Sequence, residues 1–489
     1  MATSSIAGVG SISSAGLGSG LDVSAVVTQL MALESRPLDL LKQEATSLNT
    51  RISTFGKLQS HFSSLRDKAS ALSSNTLWGG TTATVADPTS IKVTTGAGAA
   101  AGNYAVSVGN LASTQTITAA ALATAQDNLN EGSITIELGS WTGDPVSGFT
   151  AKAGATPVTV TIGAGETTLE GVRDRINAAG AGVVASIVND ANGARLSLRS
   201  KDTGAENGFR ITTTETVDDN NVAVGLSSLN FDQLDAGSQA TLAQSAANAQ
   251  ATVNGIAITS ASNTLVDVVD GLTISLLKKT TAPVDVTVAT DTENVKTKVT
   301  EFVTAFNELA NYMRTQMAYN PDSKNGGALQ GDQSAVALLN RLRGVINVAS
   351  TASAKWTRLS EVGLSMMSDG TLAVDSTKLG NAVADLGELK KLFATDGVDN
   401  ESTGFMRRFK EVADAALGSE GTFESRNLSL KEMLRRNTRN QDSMQVRLDQ
   451  TEARLRRQYT ALDATMAQLN GLSSYLGQQL KSVNLNTSA

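Results

Sequence analysis

Cysteine is absent from the 489 residues, and histidine occurs only once, as His61. Without cysteine the chain has no disulfide, no cysteine nucleophile and no thiolate metal site. The absence of cysteine fits a chain that is exported unfolded and needs no oxidative folding. His61 lies inside a heptad pattern beside Phe62. There it has no second ligand for a metal site and no serine and acid for a catalytic triad.

Aromatic residues are also scarce, at 4% of the chain. A glycosidase would need a pair of carboxylates in a cleft lined by aromatic rings, and the middle of the chain has few rings. Gly16-Leu17-Gly18-Ser19-Gly20 lacks the preceding strand and the spacing of a dinucleotide-binding loop, and the sequence contains no P-loop. We therefore expect no enzyme activity and no cofactor.

Long apolar runs and basic clusters are missing from the start of the chain. Met1–Gly20 has no basic residue and no continuous apolar stretch, so it is not a Sec signal peptide. No stretch is long and apolar enough to cross a bilayer, and the net charge of −7 disfavours nucleic acid. We expect a flexible, Gly/Ser-rich terminus, export without a cleaved signal peptide, and no insertion into a membrane.

Helical patterns are present at both ends of the chain. After Asp22, a candidate N-cap, apolar residues follow helical spacing up to a break predicted at Pro37. A heptad pattern follows, with apolar residues at Leu48, Phe55, Phe62 and Ala69 and between them at Leu58, Leu65 and Leu72. Near the other end, neither Gly nor Pro occurs from Thr422 to Asn470, and five leucines stand seven residues apart: Leu448, Leu455, Leu462, Leu469 and Leu476. These patterns predict a long helix at each end.

Between the two ends, the segment Thr81–Thr290 is rich in Thr, Val, Gly and Ala and has short alternating runs that predict strands. Asn254-Gly255 predicts a two-residue hairpin turn, and Asn263 a tight connection in which its side chain bonds to its own backbone. Helical spacing returns from Val295 to Met313. Helices that precede the β-rich segment can pack against helices that follow it only if the two ends of the chain meet.

The fold class we predict is α+β multidomain, with an antiparallel coiled-coil or helical-bundle stalk formed by both termini and inserted β-rich head domains. Four parts are expected. Residues 1–45 plus 441–489 form leg helices that are flexible when free, and 46–80 plus 291–440 form a helical-bundle stalk. Residues 81–122 plus 236–290 form one β-rich head, and 123–235 form a second head inserted in the first.

Several segments resemble one known family along nearly the whole chain. The run from Gly16 to Val23, with Val26–Met31 and Glu34–Leu38, resembles the opening of flagellar hook-associated protein 2, the FliD family of filament cap proteins. Ile176–Ile187, continuing through Arg195–Ser200, resembles the "IN" motif of flagellar hook and cap proteins, and Ala251–Ile256 resembles a second copy. The long carboxy-terminal helix also matches the family.

The resemblance implies a non-enzymatic, secreted protein at the tip of the bacterial flagellum. It implies a homo-oligomeric ring, commonly a pentamer, that sits on the distal end of the filament, promotes folding and insertion of flagellin and prevents its loss. The partners implied are flagellin, the filament end or hook–filament junction proteins, and a cytoplasmic export chaperone. The alternative is a surface adhesin whose β-rich heads bind a host or surface ligand.

The terminal apolar stripes are the predicted contact sites, because an amphipathic helix must bury its apolar face on a partner. Contacts with other subunits or with the filament are predicted at these residues: Val26, Val27, Leu30, Met31, Leu448, Leu455, Leu462, Leu469 and Leu476. For the chaperone, Leu462, Leu469 and Leu476 are predicted as groove anchors, and Arg454, Arg456 and Arg457 as charges that steer an acidic partner.

Overall fold

The computed structural model describes residues 22–217, 225–321 and 325–486. The predicted flexible segment Met1–Gly20 therefore lies outside the described residues, as does most of the family-like run that begins at Gly16. The chain forms two compact units, Met1–Asn75 with Glu293–Ala489 and Thr76–Thr292. The first unit is helical and the second is rich in strands. The predicted α+β class, with helices at both ends of the chain around a β-rich part, is confirmed.

The helices of the described residues are α1 Val23–Glu34, α2 Arg36–Ser73, α3 Asn75–Trp78, α4 Leu169–Ala178, α5 Thr292–Met317, α6 Gln333–Asn347, α7 Ser376–Val383, α8 Leu386–Ala394, α9 Phe405–Leu417 and α10 Thr422–Asn486. At 65 residues, α10 is about 100 Å long.

The strands are β1 Thr81–Val85, β2 Ile91–Thr95, β3 Gly102–Asn110, β4 Thr116–Thr118, β5 Gly132–Thr142, β6 Gly148–Ala151, β7 Val158–Ile162, β8 Val183–Asp190, β9 Gly193–Ser200, β10 Gly208–Glu215, β11 Thr241–Gln244, β12 Ala249–Val253, β13 Ile256–Ser260, β14 Thr264–Val269, β15 Leu272–Leu276, β16 Val284–Thr290, β17 Tyr319–Asn320, β18 Asn325–Gly326, β19 Leu364–Met366 and β20 Leu372–Val374.

The first two helices are nearly continuous. Asp22 caps α1 by accepting a hydrogen bond from the Ala25 N–H at 2.9 Å, as its position predicts. The break predicted at Pro37 is wrong in its position, because Ser35 alone separates α1 from α2 and itself has helical dihedral angles. Pro37 lies in the first turn of α2, where a helix tolerates a residue without an N–H.

Helices from the two ends of the chain pack antiparallel. The ring of Phe423, at the start of α10, lies 5.1 Å from the ring of Phe62 in the second half of α2. Further along α10, the Asn437 side chain donates to Glu44 at 2.9 Å, close to the start of α2. Every heptad residue predicted in α2 is buried. The expected antiparallel pairing of helices from both termini is therefore confirmed.

The remaining helices complete the core of the first unit. Phe302 and Phe306 of α5 pack against Phe409 of α9, with ring centroids 5.1 and 5.9 Å apart. Helices α6 and α8 add to this unit beside α9. Helices α8 and α9 pack against α2, and α6 packs against α9.

The second unit is built from antiparallel sheets around two hydrophobic cores. A five-stranded sheet, in the order β1-β16-β3-β12-β13, and a three-stranded sheet, β14-β15-β2, share the core that includes Val106 and Ile274. A four-stranded sheet, β11-β4-β9-β8, a second four-stranded sheet of β5 with β6, β7 and β10, and α4 share the other, which includes Ile117 and Phe209.

Asparagine side chains fix several connections in the fold. Asn254 and Gly255 have φ values of 52° and 80°, which confirms the predicted hairpin turn between β12 and β13. The predicted bond from the Asn263 side chain to its own backbone is wrong. Asn263 instead donates to the Ala112 carbonyl at 2.8 Å and accepts from the Ala112 N–H at 2.7 Å. Asn177, in the IN-like segment, bonds both backbone groups of Ala185 in the same way.

Arg408 in α9 is the largest fully buried side chain, with 1% of its surface exposed. Its guanidinium donates to the carbonyls of Thr403 at 2.7 Å and of Val348 and Glu401 at 3.0 Å. It also lies over the Phe405 ring. Burial lowers the pKa of Arg408 from its ordinary value. The planar group thus connects the loop that follows α6, at Val348, to residues 401–403, which lead into α9.

We predict that Arg408→Lys lowers the free energy of unfolding by about 3 kcal/mol, because an ammonium group cannot reach the same carbonyls and leaves buried acceptors unpaired. Urea denaturation measures this change. The matched control is Arg314→Lys, at a side chain that is 55% exposed, where the change should stay below about 0.5 kcal/mol. Equal effects of the two substitutions would contradict the structural role of Arg408.

Candidate interaction surface

The apolar ladder of α10 is covered along only part of its length. Leu448 is 6% exposed and Leu455 is half-buried. In this region α10 packs against α1, where Val27 is 1% exposed. The neighbouring residues Val26, Leu30 and Met31 are half-buried. The first half of the predicted contact set thus already has partners inside its own chain.

Beyond Leu455 the same face of α10 is exposed. The exposed fractions are 47% for Leu462, 54% for Leu469 and 52% for Leu476. One residue of an α-helix turns about 100°, so side chains four, seven, fourteen and eighteen positions on from Leu462 share its face. The distal strip, as we name this surface, consists of Leu462, Met466, Leu469, Leu476 and Leu480. All five are at least 36% exposed.

The three predicted arginines are exposed but do not all border the distal strip. Arg454 lies about 80° around the helix from Leu462, while Arg456 and Arg457 lie more than about 110° away. The Arg456 guanidinium pairs with Glu452, one turn earlier, at 2.7 Å. Arg454 is therefore the arginine best placed to contact a partner that lies on the strip.

An open groove of about 500 Å³ lies between α2 and α5. Lys68 pairs with Glu301 at 2.7 Å, and Lys298 pairs with the same carboxylate at 3.0 Å. Hydrogen bonds from Lys68 and then Lys298 hold the pKa of Glu301 below its ordinary value. Most of the polar side chains that line the groove already have partners, because its lysines pair with carboxylates and its threonine hydroxyls bond their own helix.

Within the described ranges, no cluster of His, Asp and Glu could hold a metal ion. His61 packs against the ring of Tyr312, with centroids 4.9 Å apart. Among the helices that the structure describes, none has the length and apolar character of a membrane span. The distal strip is thus the candidate interaction surface of the first unit.

Sequence reasoning missed a second apolar stripe at the α1–α2 junction. Leu33 and Leu40 are 57% and 65% exposed, and Pro37 between them is exposed as well. Together with Val26 and Leu30 they follow alternating steps of four and three residues, which places them on one face. That spacing was the available signal, and it was hidden by the break assigned to Pro37.

Comparison with known proteins gives the class and the family. The family profile "Flagellar hook-associated protein 2 N-terminus" matches residues 19–115, and "Flagellar hook-associated protein 2 C-terminus" matches residues 246–471. Between them, "Flagellin hook IN motif" matches residues 148–202. This last region contains β7, α4 and β8, where Asn177 bonds Ala185.

Whole-length relatives agree with the profiles. Flagellar hook-associated protein 2 of Escherichia coli K12 is 31% identical over 484 residues, covering 96% of this chain and 98% of the relative. The B-type flagellar hook-associated protein 2 of Pseudomonas aeruginosa PAO1 is 29% identical, covering 96% and 98%. Among solved structures, the D1-D2-D3 domains of the flagellar cap protein FliD from Escherichia coli match with a TM-score of 0.59 and 28% identity. That match covers 77% of this chain and 99% of the other.

These matches define the class as structural proteins of the bacterial flagellum. The chain belongs to the flagellar hook-associated protein 2 family, the FliD filament cap proteins. The predicted family, the capping role and the absence of enzyme activity are therefore confirmed, and the comparisons favour capping over the adhesin alternative.

We predict that Leu448→Ala destabilises the contact between α1 and α10 by about 2 kcal/mol, because it removes a buried side chain and leaves a cavity. Amide hydrogen exchange in α1 should then become faster. Leu469→Ala is the matched control on the same helix face, and it should leave α1 unchanged because Leu469 is exposed in the free chain. Both variants should be compared at a concentration at which the chain is monomeric; equal exchange in α1 would contradict the assigned packing.

Proposed function

We propose that this chain works at the filament tip as a homo-oligomeric ring, with a pentamer as the expected size, and that it promotes the folding and insertion of flagellin beneath it. Capping itself follows from the family; the ring and its contacts are the proposal. The observation that carries it is the exposure of Leu462, Leu469 and Leu476 on a helix whose earlier leucine, Leu448, is buried.

Hydrophobic burial supplies the driving force for assembly. Burying a fully exposed leucine contributes about 2 kcal/mol, and the distal strip offers five large apolar side chains per copy, each between 36% and 68% exposed. A surface helix keeps such a continuous face when another surface covers it in the working state. The proposed occupants of this face are neighbouring subunits and the end of the filament.

The roles proposed for the other contact residues depend on how far each side chain is buried. Val26, Leu30 and Met31 are half-buried and keep apolar surface for a neighbour or for the filament. Val27 and Leu448 are buried inside the chain, so they support α1 against α10 and would meet another molecule only after the two helices separate. They are indirect contributors in this proposal.

We also propose the finer domain division predicted from the sequence, with leg helices at 1–45 and 441–489 and a stalk at 46–80 and 291–440. Two separate hydrophobic cores in the second unit support two heads, at 81–122 with 236–290 and at 123–235. Ile117 and Ala240 contribute to the core of the second head, so its packing reaches slightly beyond these boundaries.

We predict that Leu462→Asp combined with Leu469→Asp abolishes the ring, because two charges per copy would enter an apolar interface. Light scattering of the full-length chain should change from a multiple of the subunit mass to the mass of one subunit. A bacterium that lacks its own cap protein and carries this variant should release flagellin into the medium and form no filaments.

The matched control is Leu428→Asp combined with Val446→Asp. These residues lie on the same helix and are 58% and 56% exposed, but they lie outside the distal strip. The control variant should still form the ring, and cells that carry it should still form filaments. A ring that persists in the Leu462/Leu469 variant would remove the strip from assembly.

Before export, the same strip needs cover in the cytoplasm. We propose that an export chaperone binds it in an apolar groove, with Leu462, Leu469 and Leu476 as anchors at heptad spacing. Exposed arginines on the preceding turns favour a partner with an acidic rim. Since Arg456 already pairs with Glu452, the steering charges proposed are Arg454 and Arg457, with a smaller contribution from Arg456.

We predict that Leu462→Asp with Leu469→Asp weakens chaperone binding at least 100-fold in calorimetry of the full-length chain with the bacterium's own flagellar export chaperone. Replacing Arg454, Arg456 and Arg457 with Gln should instead slow association and reduce its dependence on salt. Unchanged affinity in the double-Asp variant would place the chaperone elsewhere on the chain.

A further inference from the structure

The distal strip has the register of a helical bundle. Leucines repeat every seven residues at 462, 469 and 476, and Met466, Ser473 and Leu480 occupy the alternate position four residues after each leucine. This is the alternation of core positions in a coiled coil, with leucine at every d position. We propose that residues 459–480 of α10 form a parallel, in-register bundle with the same segment of other copies of this chain. The proposal rests on the proposed ring and names the surface that holds its legs together.

This segment has little stability of its own. Its leucines are about half exposed, and it contains Gly471 and Gly477, each of which weakens a helix relative to alanine. An added Cβ would meet nothing within 4 Å at either glycine, so packing inside the chain does not require them. A helix of this kind gains its order from packing against a partner.

The charge pattern points to a copy of the chain as that partner. Asp463 is the single charged residue in the sequence from Gln458 to Leu480. A strongly charged partner would find little to pair with here, whereas identical helices can approach without rows of like charge along their seam. Leu472, 57% exposed, lies beside the strip and widens the apolar face beyond a two-helix seam. The face thus suits a bundle of more than two helices.

Rotational symmetry gives the direction and the register. In a closed ring every copy is related to the next by rotation about one axis, so equivalent helices run the same way at the same height. Leu469 of each copy then faces Leu469 of its neighbours. An antiparallel pairing would instead place Leu462 beside Leu476, and it would need copies that face each other from opposite directions.

The absence of native cysteine permits a direct test in the full-length chain. Leu469→Cys, treated with a short bismaleimide crosslinker, should give covalent dimers at least tenfold faster than Ala464→Cys. Ala464 is exposed on the outer face of the same helix and is the matched control. Leu476→Cys provides a second, independent position in the predicted seam. Substitution at these exposed sites leaves the core of the subunit unchanged.

Equal rates at positions 469 and 464 would overturn the bundle. A second experiment mixes Leu462→Cys chains with Leu476→Cys chains that carry a different tag. If crosslinks between the two kinds of chain outnumber crosslinks between chains of the same kind, the contact is antiparallel, and the parallel bundle is overturned. A ring that light scattering detects, without crosslinks at 469 or 476, overturns the bundle and leaves the proposed function standing. That result would assign the strip to the end of the filament. Absence of any ring in the unsubstituted chain would overturn both proposals.

Discussion

The antiparallel packing of α2 against α10 is the contact on which the rest of the structure depends. Phe423 meets Phe62, and Asn437 meets Glu44, along one apolar seam. Because the two helices come from opposite ends of the chain, the chain between them must start at the end of α2 and come back to the start of α10. The β-rich unit is for that reason an insertion in the helical one, and its strands pair among themselves within Thr76–Thr292.

The same seam determines which apolar side chains remain for assembly. Where α1 covers α10, Leu448 is buried, and beyond Leu455 the ladder continues without cover from the described part of the chain. A cap must travel through export and then hold to a growing filament, so an apolar face that exchanges one partner for another suits this role.

Local patterns made much of this predictable. The heptads around Phe62 and Leu448 and the Asn254-Gly255 turn depend on neighbouring residues, and the fold confirms them. Distant pairing was not predictable. Asn263 bonds Ala112, 151 residues away, which no local rule reveals. The contrast between buried Leu448 and exposed Leu469 depends on how far α1 reaches along α10, although both leucines have the same heptad spacing.

The central claim is that the distal strip is exposed in the free subunit and buried in the working cap. Hydrogen exchange followed by mass spectrometry on residues 459–480 tests it, with monomeric chain compared against cap assembled on filament ends. The account predicts at least a 100-fold slower exchange of these amides in the assembled cap, equivalent to about 2.7 kcal/mol of protection. Equal exchange in the two states would contradict it.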